Sequence, residues 1–253
     1  MIEICALASG SNGNCYYIGN NTDAVLIDAG ISSKQIILRM QSRQLSPAKI
    51  RAVFITHEHI DHVRGARVLS NKLGAPVYYT SGTYNAIRAE ERAANSRFFT
   101  AGDTITIGPF QIHSFTKNHD AAEPCSFRIE YEQNNVGVFT DIGEACENVQ
   151  SNLKQCRAVF LESNYDHEML WKGAYPYPLK QRVASTVGHL SNDQSLELVK
   201  THAGDKLEYI FLSHLSKENN TPQKAYQNFD ELKTRFNIQL TSREEATDVF
   251  ILK

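Results

Sequence analysis

Runs of apolar residues, some continuous and some alternating with polar ones, divide the chain into short strands and helices. Near its start they predict strands over residues 2–8, 15–19 and 24–28, then a helix over 33–44. The later pattern predicts strand 51–56, helix 62–73, strand 76–80, helix 83–94, consecutive strands from 98 to 143 with turns at Gly108-Pro109, 118–123 and Asn134-Asn135, helix 144–155, strand 157–163, helices 178–187 and 192–203, strand 208–213, helix 222–235 and strand 246–252.

Strand runs therefore occur in both halves of the chain, with helices between them. This arrangement suits two sheets that pack face to face and are covered outside by helices. Periodicity by itself establishes only the α/β class. A chain of 253 residues can bury a substantial core in one domain or in two tightly fused halves, and we expect residues 1–253 to form a single domain.

The densest chemistry of the chain lies in residues 57–62, which place three imidazoles and one carboxylate within six positions. Imidazole and carboxylate groups are ligands of Zn²⁺, Mn²⁺ and Fe²⁺. The apolar run 52–55 comes just before and predicts a buried strand, which would hold these ligands on a rigid edge. The alternative is a histidine-rich surface turn, but the coincidence of four ligands with a leading strand favours a metal site.

The sequence HEHIDH at residues 57–62 resembles the HxHxDH signature of the metallo-β-lactamase superfamily. The resemblance implies a four-layer αββα sandwich, in which His57 and His59 hold one metal ion and Asp61 and His62 hold a second. Four ligands so close together suggest two ions that clamp one water molecule. Glu58 occupies a position that the family leaves variable, so we expect it to contact solvent or a ligand rather than a metal.

Three later side chains follow strand-like runs and match further family positions. By the resemblance, His119 completes the first metal site, Asp141 bridges the two ions and His214 completes the second site. True lactamases usually place a cysteine at the second site, so an aspartate here favours phosphodiester or thioester chemistry. Each of the three could instead be an ordinary turn or strand-end residue. Asp28 matches the first-motif aspartate of the family. It is expected to form hydrogen bonds that orient residues 57–62, which we call the ligand loop.

The cofactors implied by the resemblance are two divalent transition-metal ions: zinc, manganese or iron. They would lower the pKa of a bridging water toward ~7 and so provide hydroxide at neutral pH. Asp61 is expected to serve catalysis as well as metal binding. His189 is the best remaining candidate for donating a proton to the leaving group or binding a phosphate. Alternatively, His189 precedes a helix cap at Ser191 by coincidence.

Two other segments could contact the substrate. In the loop ASGSNGN at residues 8–14, glycines and short polar side chains would let backbone N–H groups approach an anion, and we expect Ser11 and Asn14 to bind substrate together with His189. The loop could equally be a simple hairpin turn. Residues 165–182 combine aromatic and basic side chains, which suits either a nucleic-acid strand or a lid that packs on the core.

Composition narrows the class of partner. The net charge of −2 gives no general basic field, so a nucleic acid would have to meet a local patch. The five cysteines are odd in number and none is spaced as CxxC, which favours a reducing, cytoplasmic environment. The first residues predict a strand rather than a signal peptide, and no apolar run approaches the ~20 residues of a membrane span.

Four further segments resemble the YycJ/WalJ-like branch of the superfamily: residues 7–14, 118–124, 188–192 and 212–216. The branch is associated with 5′→3′ exonuclease activity, so the resemblance implies a phosphodiesterase with DNA as its substrate. One alternative is a small-molecule hydrolase, such as a cyclic phosphodiesterase, thioesterase or lactonase. Another is a regulatory binding module that keeps its metals for stability. Fold alone does not choose among them.

Overall fold

The computed structural model describes residues 1–253. Its strands are β1 (Ile2–Ala8), β2 (Cys15–Gly19), β3 (Ala24–Ile27), β4 (Ile50–Phe54), β5 (Val77–Tyr79), β6 (Ser96–Phe98), β7 (Thr104–Ile107), β8 (Phe110–Thr116), β9 (Cys125–Tyr131), β10 (Asn134–Phe139), β11 (Ala158–Glu162), β12 (Tyr209–Ser213), β13 (Asn237–Leu240) and β14 (Phe250–Leu252). Its helices are α1 (Ser33–Ser42), α2 (Ile60–Val63), α3 (Ala66–Leu73), α4 (Ser81–Ala86), α5 (Glu147–Leu153), α6 (His167–Lys172), α7 (Tyr177–Val183), α8 (Asn192–His202) and α9 (Pro222–Asn228). None of these helices combines the length and the apolar character needed to cross a bilayer.

The strands form two seven-stranded mixed sheets. The first has the order β14-β1-β2-β3-β4-β5-β6 and the second the order β13-β12-β11-β10-β9-β8-β7. Each sheet starts as an antiparallel meander and continues with parallel strands: β3 to β6 in the first sheet and β10 to β13 in the second. The last strand, β14, returns to pair with β1.

The apolar residues separate into three layers because successive side chains of a strand point to opposite faces of its sheet. In β1, Ile2 and Ile4 belong to the layer between the two sheets, whereas Cys5 and Leu7 belong to the layer under α1 and α3. A third layer joins the outer face of the second sheet to α5, α8 and α9. Three apolar layers between four layers of secondary structure confirm the predicted αββα sandwich.

The predicted helix over 62–73 is wrong at its start, because the structure divides this region into α2 and α3. The carbonyl of Asp61 accepts from the N–H of Asn14, and the N–H of Gly65 donates to the carbonyl of Ala29. The i to i−4 hydrogen bond between residues 61 and 65 is therefore replaced by bonds to neighbouring loops. These two hydrogen bonds connect the region of the helix break to residues 14 and 29.

Other predicted elements are too long or displaced. The helix over 83–94 is limited to α4, and Arg92 Nε donates to the carbonyl of Ile87 just beyond its end. The helices over 144–155, 178–187 and 222–235 shorten to α5, α7 and α9, with a 3-10 turn after α9. The turn predicted at Asn134-Asn135 lies instead at residues 132–133, where Glu132 has a φ of 55°. The pattern missed α6 and β13, which are both short.

Candidate metal centre

The candidate site lies where strand ends of the two sheets meet. Asp28 follows β3 and His57 follows β4, while Asp141 follows β10 and His214 follows β12. Because β3 is parallel to β4, and β10, β11 and β12 are parallel to one another, their carboxyl ends share one edge of each sheet. Asp28, Asp141 and His214 have φ angles of 61°, 56° and 56°. Left-handed conformations cost about 1–3 kcal/mol each and concentrate at functional sites.

The first group of side chains contains three imidazoles: His57, His59 and His119. Their ligand atoms lie within 4.8 Å of one another, and His57 Nε2 is 3.1 Å from His59 Nδ1. Two of the three come from the ligand loop after β4, and the third comes from the loop after β8. This set of nitrogen donors could hold one Zn²⁺-like ion.

The second group contains Asp61, His62 and His214, whose ligand atoms also lie within 4.8 Å of one another. Asp141 lies between the two groups. Its Oδ2 is 3.2 Å from His62 Nε2, and its Oδ1 is 3.6 Å from His214 Nε2 and 3.8 Å from His119 Nε2. A carboxylate in this position could place one oxygen on each of two cations. All seven predicted ligands are thus brought together.

The outer nitrogen of four imidazoles is held by a separate partner, which turns Nε2 toward the centre. His62 Nδ1 is 2.7 Å from Asp28 Oδ2, and His57 Nδ1 is 2.9 Å from Thr56 Oγ1. His119 Nδ1 is 3.1 Å from the carbonyl of Gly188, and His214 Nδ1 is 2.9 Å from Glu162 Oε1. Such partners fix the orientation of a metal-binding imidazole.

Asp28 accepts hydrogen bonds from Thr56, the residue just before the ligand loop. Its Oδ1 accepts from the backbone N–H of Thr56 at 2.8 Å, and its Oδ2 accepts from the Thr56 hydroxyl at 2.9 Å. Gly30 packs against the same loop so closely that a Cβ there would lie 1.5 Å from the carbonyl oxygen of Asp61. Glu58 is in neither ligand group, and its Oε1 accepts from the N–H of Ala122 at 2.8 Å.

The two predicted substrate-binding residues of the first loop occupy different environments. Ser11 is exposed and lines a cavity beside the ligand groups. Asn14 is fully buried, and its Nδ2 is 3.4 Å from Asp61 Oδ2 and 3.1 Å from His62 Nε2. Its Oδ1 accepts from the N–H of Gly10 at 3.0 Å. The buried amide of Asn14 therefore contacts the ligands themselves, and its proposed role with the substrate stays a prediction.

Glu162 is a functional candidate that the sequence reasoning missed. It ends β11 and is fully buried, and its Oε1 lies 2.8 Å from His189 Nδ1 and 2.9 Å from His214 Nδ1. Its Oε2 accepts from the backbone N–H of Ile142 at 2.7 Å. The ligand atoms of Glu162, His189, His214 and Asp141 also lie within 4.8 Å of one another. However, Glu162 already hydrogen-bonds each of the two imidazoles. The feature of the sequence that could have identified Glu162 is its position as an acidic residue directly after the apolar run 158–161.

Three buried polar atoms at the centre make no well-formed hydrogen bond: His119 Nε2, Asp141 Oδ2 and His214 Nε2. Asp141 Oδ2 lies 3.2 Å from His62 Nε2 without the geometry of a hydrogen bond. Buried polar atoms are nearly always paired, so unpaired ones require an explanation. All three are metal-ligand atom types, and the two imidazole nitrogens lie 3.8 and 3.6 Å from Asp141 Oδ1. The donor set therefore fits divalent transition-metal ions.

The electrostatics differ between the two groups of imidazoles. Burial holds the pKa of His57 well below its usual value and lowers the pKa of His119 to about 4, so both present neutral lone pairs. Burial would also lower the pKa of His214, but Asp141, Asp61 and Glu162 together raise it to about 10.

The carboxylates at the centre remain ionised although they are buried. Burial opposes their charge, yet His214 and His62 hold the pKa of Asp141 well below its usual range. In the same way, His189 and His214 outweigh burial and lower the pKa of Glu162 to about 2. Negative charge is therefore concentrated around His62 and His214, where a cation would be most strongly attracted.

A cavity of about 230 Å³ opens beside these groups. Its lining includes Ser11, His59, His119, Asp141, His189 and His214. The connection after α6 and α7 itself contribute Tyr175, Leu179, Arg182 and Val183. Arg182 Nη2 pairs with Asp120 Oδ2 at 2.5 Å across the rim. Part of residues 165–182 thus forms a wall of the cavity, whereas Trp171 packs near Tyr177, which is 64% exposed.

Three comparisons with known proteins bear on this site. The model of the metallo-beta-lactamase superfamily matches residues 8–214. Exodeoxyribonuclease YycJ of Bacillus anthracis is 34% identical over 227 residues, which is 88% of this chain and 86% of that protein. Exodeoxyribonuclease WalJ of Streptococcus pneumoniae is 34% identical over 225 residues, or 87% of this chain and 84% of that protein.

Solved structures support the same architecture. The metallo-beta-lactamase fold protein YhfI of Bacillus subtilis superimposes with a TM-score of 0.74 over 98% of this chain and 100% of that chain, at 15% sequence identity. At this identity the likeness concerns the fold alone. The family therefore rests on the sequence matches.

Proposed function

The chain belongs to the metallo-beta-lactamase superfamily and, within it, to the branch of YycJ and WalJ; it is a metal-dependent hydrolase. From this premise we propose that it is a phosphodiesterase that acts on DNA, with a dinuclear metal centre and exonuclease activity. The observation that carries the proposal is the pair of ligand groups with Asp141 between them, beside the His189–Glu162 pair. We take residues 1–253 as one functional domain, because both sheets contribute ligands.

Each ligand would have a defined place. His57, His59 and His119 would hold one divalent ion, while Asp61, His62 and His214 would hold the other, and Asp141 would contact both. The unpaired atoms of His119, Asp141 and His214 support this assignment. When bound, the two ions activate a water molecule and neutralise charge on the phosphoryl group. Zinc, manganese and iron all suit this donor set.

The chain itself would supply the proton for the leaving oxygen. His189 is partly exposed to the cavity, and its Nδ1 is held by the carboxylate of Glu162 at 2.8 Å. Because a carboxylate only accepts hydrogen bonds, Nδ1 keeps its proton and Nε2 is left to face the substrate. In its protonated form His189 would donate the Nε2 proton to the departing alkoxide. Glu162 acts through His189 by fixing the orientation of its ring.

The DNA substrate is supported by the names of the two relatives and by the ligand set. A panel of 5′-phosphorylated duplex DNA, single-stranded DNA and RNA, each assayed with Mn²⁺ and with Zn²⁺, tests it directly. We expect release of nucleotides from the 5′ end of DNA. Cleavage of RNA alone, or of none of the three, would contradict the proposal.

A small-molecule hydrolase is the second candidate. The cavity of about 230 Å³ favours it over a duplex, because a small substrate can enter a space of this size whereas a duplex would have to approach from outside. The volume lies somewhat below the ~300 Å³ at which small-molecule pockets usually start. Turnover of short phosphodiesters or thioesters, with no salt-dependent binding of DNA, would favour this reading over the first.

A further inference from the structure

Asn219 has the only side chain in the protein whose two polar atoms are both buried without a hydrogen-bond partner. The residue is 1% exposed and lines the cavity beside the metal centre. Its backbone, in contrast, is fully engaged. The N–H donates to Ser216 Oγ at 3.2 Å, and the carbonyl accepts from the N–H of Asp166 at 2.8 Å. Asn219 is thus held firmly in place by its backbone, while both polar atoms of its buried amide lack a partner within the protein.

The cavity lining is mostly polar, but it includes a few apolar side chains and no free lysine or arginine. A Cβ added to Gly173 would lie 2.9 Å from Asn219 Oδ1, which places the amide beside the connection between α6 and α7. The same region contributes Tyr175 and Leu179 to the cavity. The only lysine or arginine of the lining is Arg182, which is paired with Asp120. Because no free lysine or arginine lies beside the amide, this part of the cavity suits a neutral, planar group, whereas a phosphate would lie at the ligand groups.

We propose that Asn219 binds the nucleobase of the terminal nucleotide while its phosphodiester lies at the metal centre. This inference rests on the proposed function. An amide presents a donor and an acceptor side by side, and every base carries an adjacent donor and acceptor on its Watson–Crick edge. By rotating half a turn, the amide of Asn219 can pair with any of the four bases. A phosphate would satisfy Nδ2 and leave Oδ1 unpaired.

Tyr175 and Leu179 give the base a surface for packing, as aromatic and apolar side chains do in proteins that bind single strands. The cavity is small, so it would accept one unpaired nucleotide and exclude the complementary strand. Asn219 is therefore a specificity-determining residue, which distinguishes a terminus that carries a base from one that lacks it.

The test compares two 5′-phosphorylated duplexes that differ only in the terminal nucleotide, which carries either thymine or a stable abasic residue. For the wild type we expect kcat/KM to be about tenfold lower on the abasic duplex, the range expected for a two-bond contact. For Asn219→Ala we expect the rate on the thymine duplex to fall by a similar factor and the ratio to approach one. Retention of the full preference in Asn219→Ala would overturn the proposal.

Asn220 provides a matched control, because its amide is fully paired. Its Nδ2 donates to the carbonyls of Ser163 and Asn164 at 2.8 and 3.1 Å. We expect Asn220→Ala to lower Tm and to keep the preference for the base, whereas Asn219→Ala keeps its Tm. Asn219→Asp, which has the same shape but no donor, gives a second measure of the ratio if Asn219→Ala folds poorly.

Two outcomes separate this inference from the proposed function. A wild type that cleaves both duplexes equally well would contradict the base subsite and leave the nuclease activity established. A wild type that cleaves neither would contradict the nuclease activity and the subsite together. A change of preference between a 5′-phosphate and a 5′-hydroxyl terminus in Asn219→Ala, with the base preference unchanged, would assign the amide to the phosphate instead.

Discussion

The two sheets contribute to the metal centre in different ways. The first sheet supplies four candidate ligands from one loop of six residues, which follows β4 directly. The second sheet supplies His119, Asp141 and His214 from the ends of three separate strands. The first set is assembled by local chain geometry, whereas the second exists only when β8, β10 and β12 are correctly aligned. The site therefore depends on the whole sandwich although half of its chemistry is local.

Each set also has its own buried carboxylate. Asp28 supports the loop of the first sheet through Thr56 and His62. Glu162 supports the second sheet through His214, and it also holds His189. In the proposed mechanism the second carboxylate would support both metal binding and proton donation, whereas the first would support the ligand loop alone. This difference can be tested by substitutions.

The largest effect is expected for Asp141→Ala, because Asp141 is the side chain that both ligand groups share. We expect the protein to lose both ions and the nuclease rate to fall by about 10⁴-fold or more, as when a member of a catalytic unit is removed. Metal analysis and nuclease assays measure the two effects. Asp120→Ala, at the rim beside Arg182, should keep both ions. Two retained ions in Asp141→Ala would refute the shared ligand.

His189→Ala separates catalysis from metal binding within the second sheet. We expect kcat to fall by about 10²–10⁴-fold, the usual contribution of a general acid, while metal content stays at the wild-type value. Measurement of kcat together with bound metal checks this. If metal is lost in parallel with activity, His189 belongs to the ligand set.

Glu162→Gln tests the link between the two tasks. The amide has the shape of the carboxylate but carries no negative charge, so its hydrogen bonds to the two imidazoles would be weaker. We therefore expect both kcat and metal affinity to decline. The affinity should fall by about 10–100-fold, as for other side chains that orient metal ligands. A normal kcat at saturating Mn²⁺ would show that Glu162 acts only on His214.

Asp28→Asn gives the smallest effect on turnover. Asp28 touches the ligand loop but not His189, so we expect metal affinity to fall by about 10–100-fold and kcat to recover when Mn²⁺ is in excess. Titration of activity with Mn²⁺ measures this for Asp28→Asn and Glu162→Gln side by side. Equal recovery in the two variants would remove the distinction between the sheets.

The same contrast explains what the sequence could predict. The spacing of His57, His59 and His62 is visible in a single line of sequence, because the ligands are neighbours in the chain. The roles of His119, Asp141 and His214 came from the family resemblance, since no local pattern relates the ends of distant strands. The structure adds their distances, which depend on the pairing of β10, β11 and β12.

Residues that act through a single long-range contact were the hardest to predict. In the sequence, Glu162 is only the polar residue at the end of a predicted strand. In the structure, its carboxylate contacts His189 and His214. The break between α2 and α3 depends on hydrogen bonds from Asn14 and to Ala29, which lie in other parts of the chain. The unpaired amide of Asn219 cannot be read from sequence at all, because pairing is a property of the folded protein.

The most direct test of the dinuclear account is a titration of Mn²⁺ into metal-free protein, with bound metal and nuclease rate followed together. The ligand groups predict binding that saturates at two ions per chain and turnover that reaches its maximum only with the second ion. Full nuclease turnover by the metal-free protein, or saturation of both signals at one ion per chain, would contradict it.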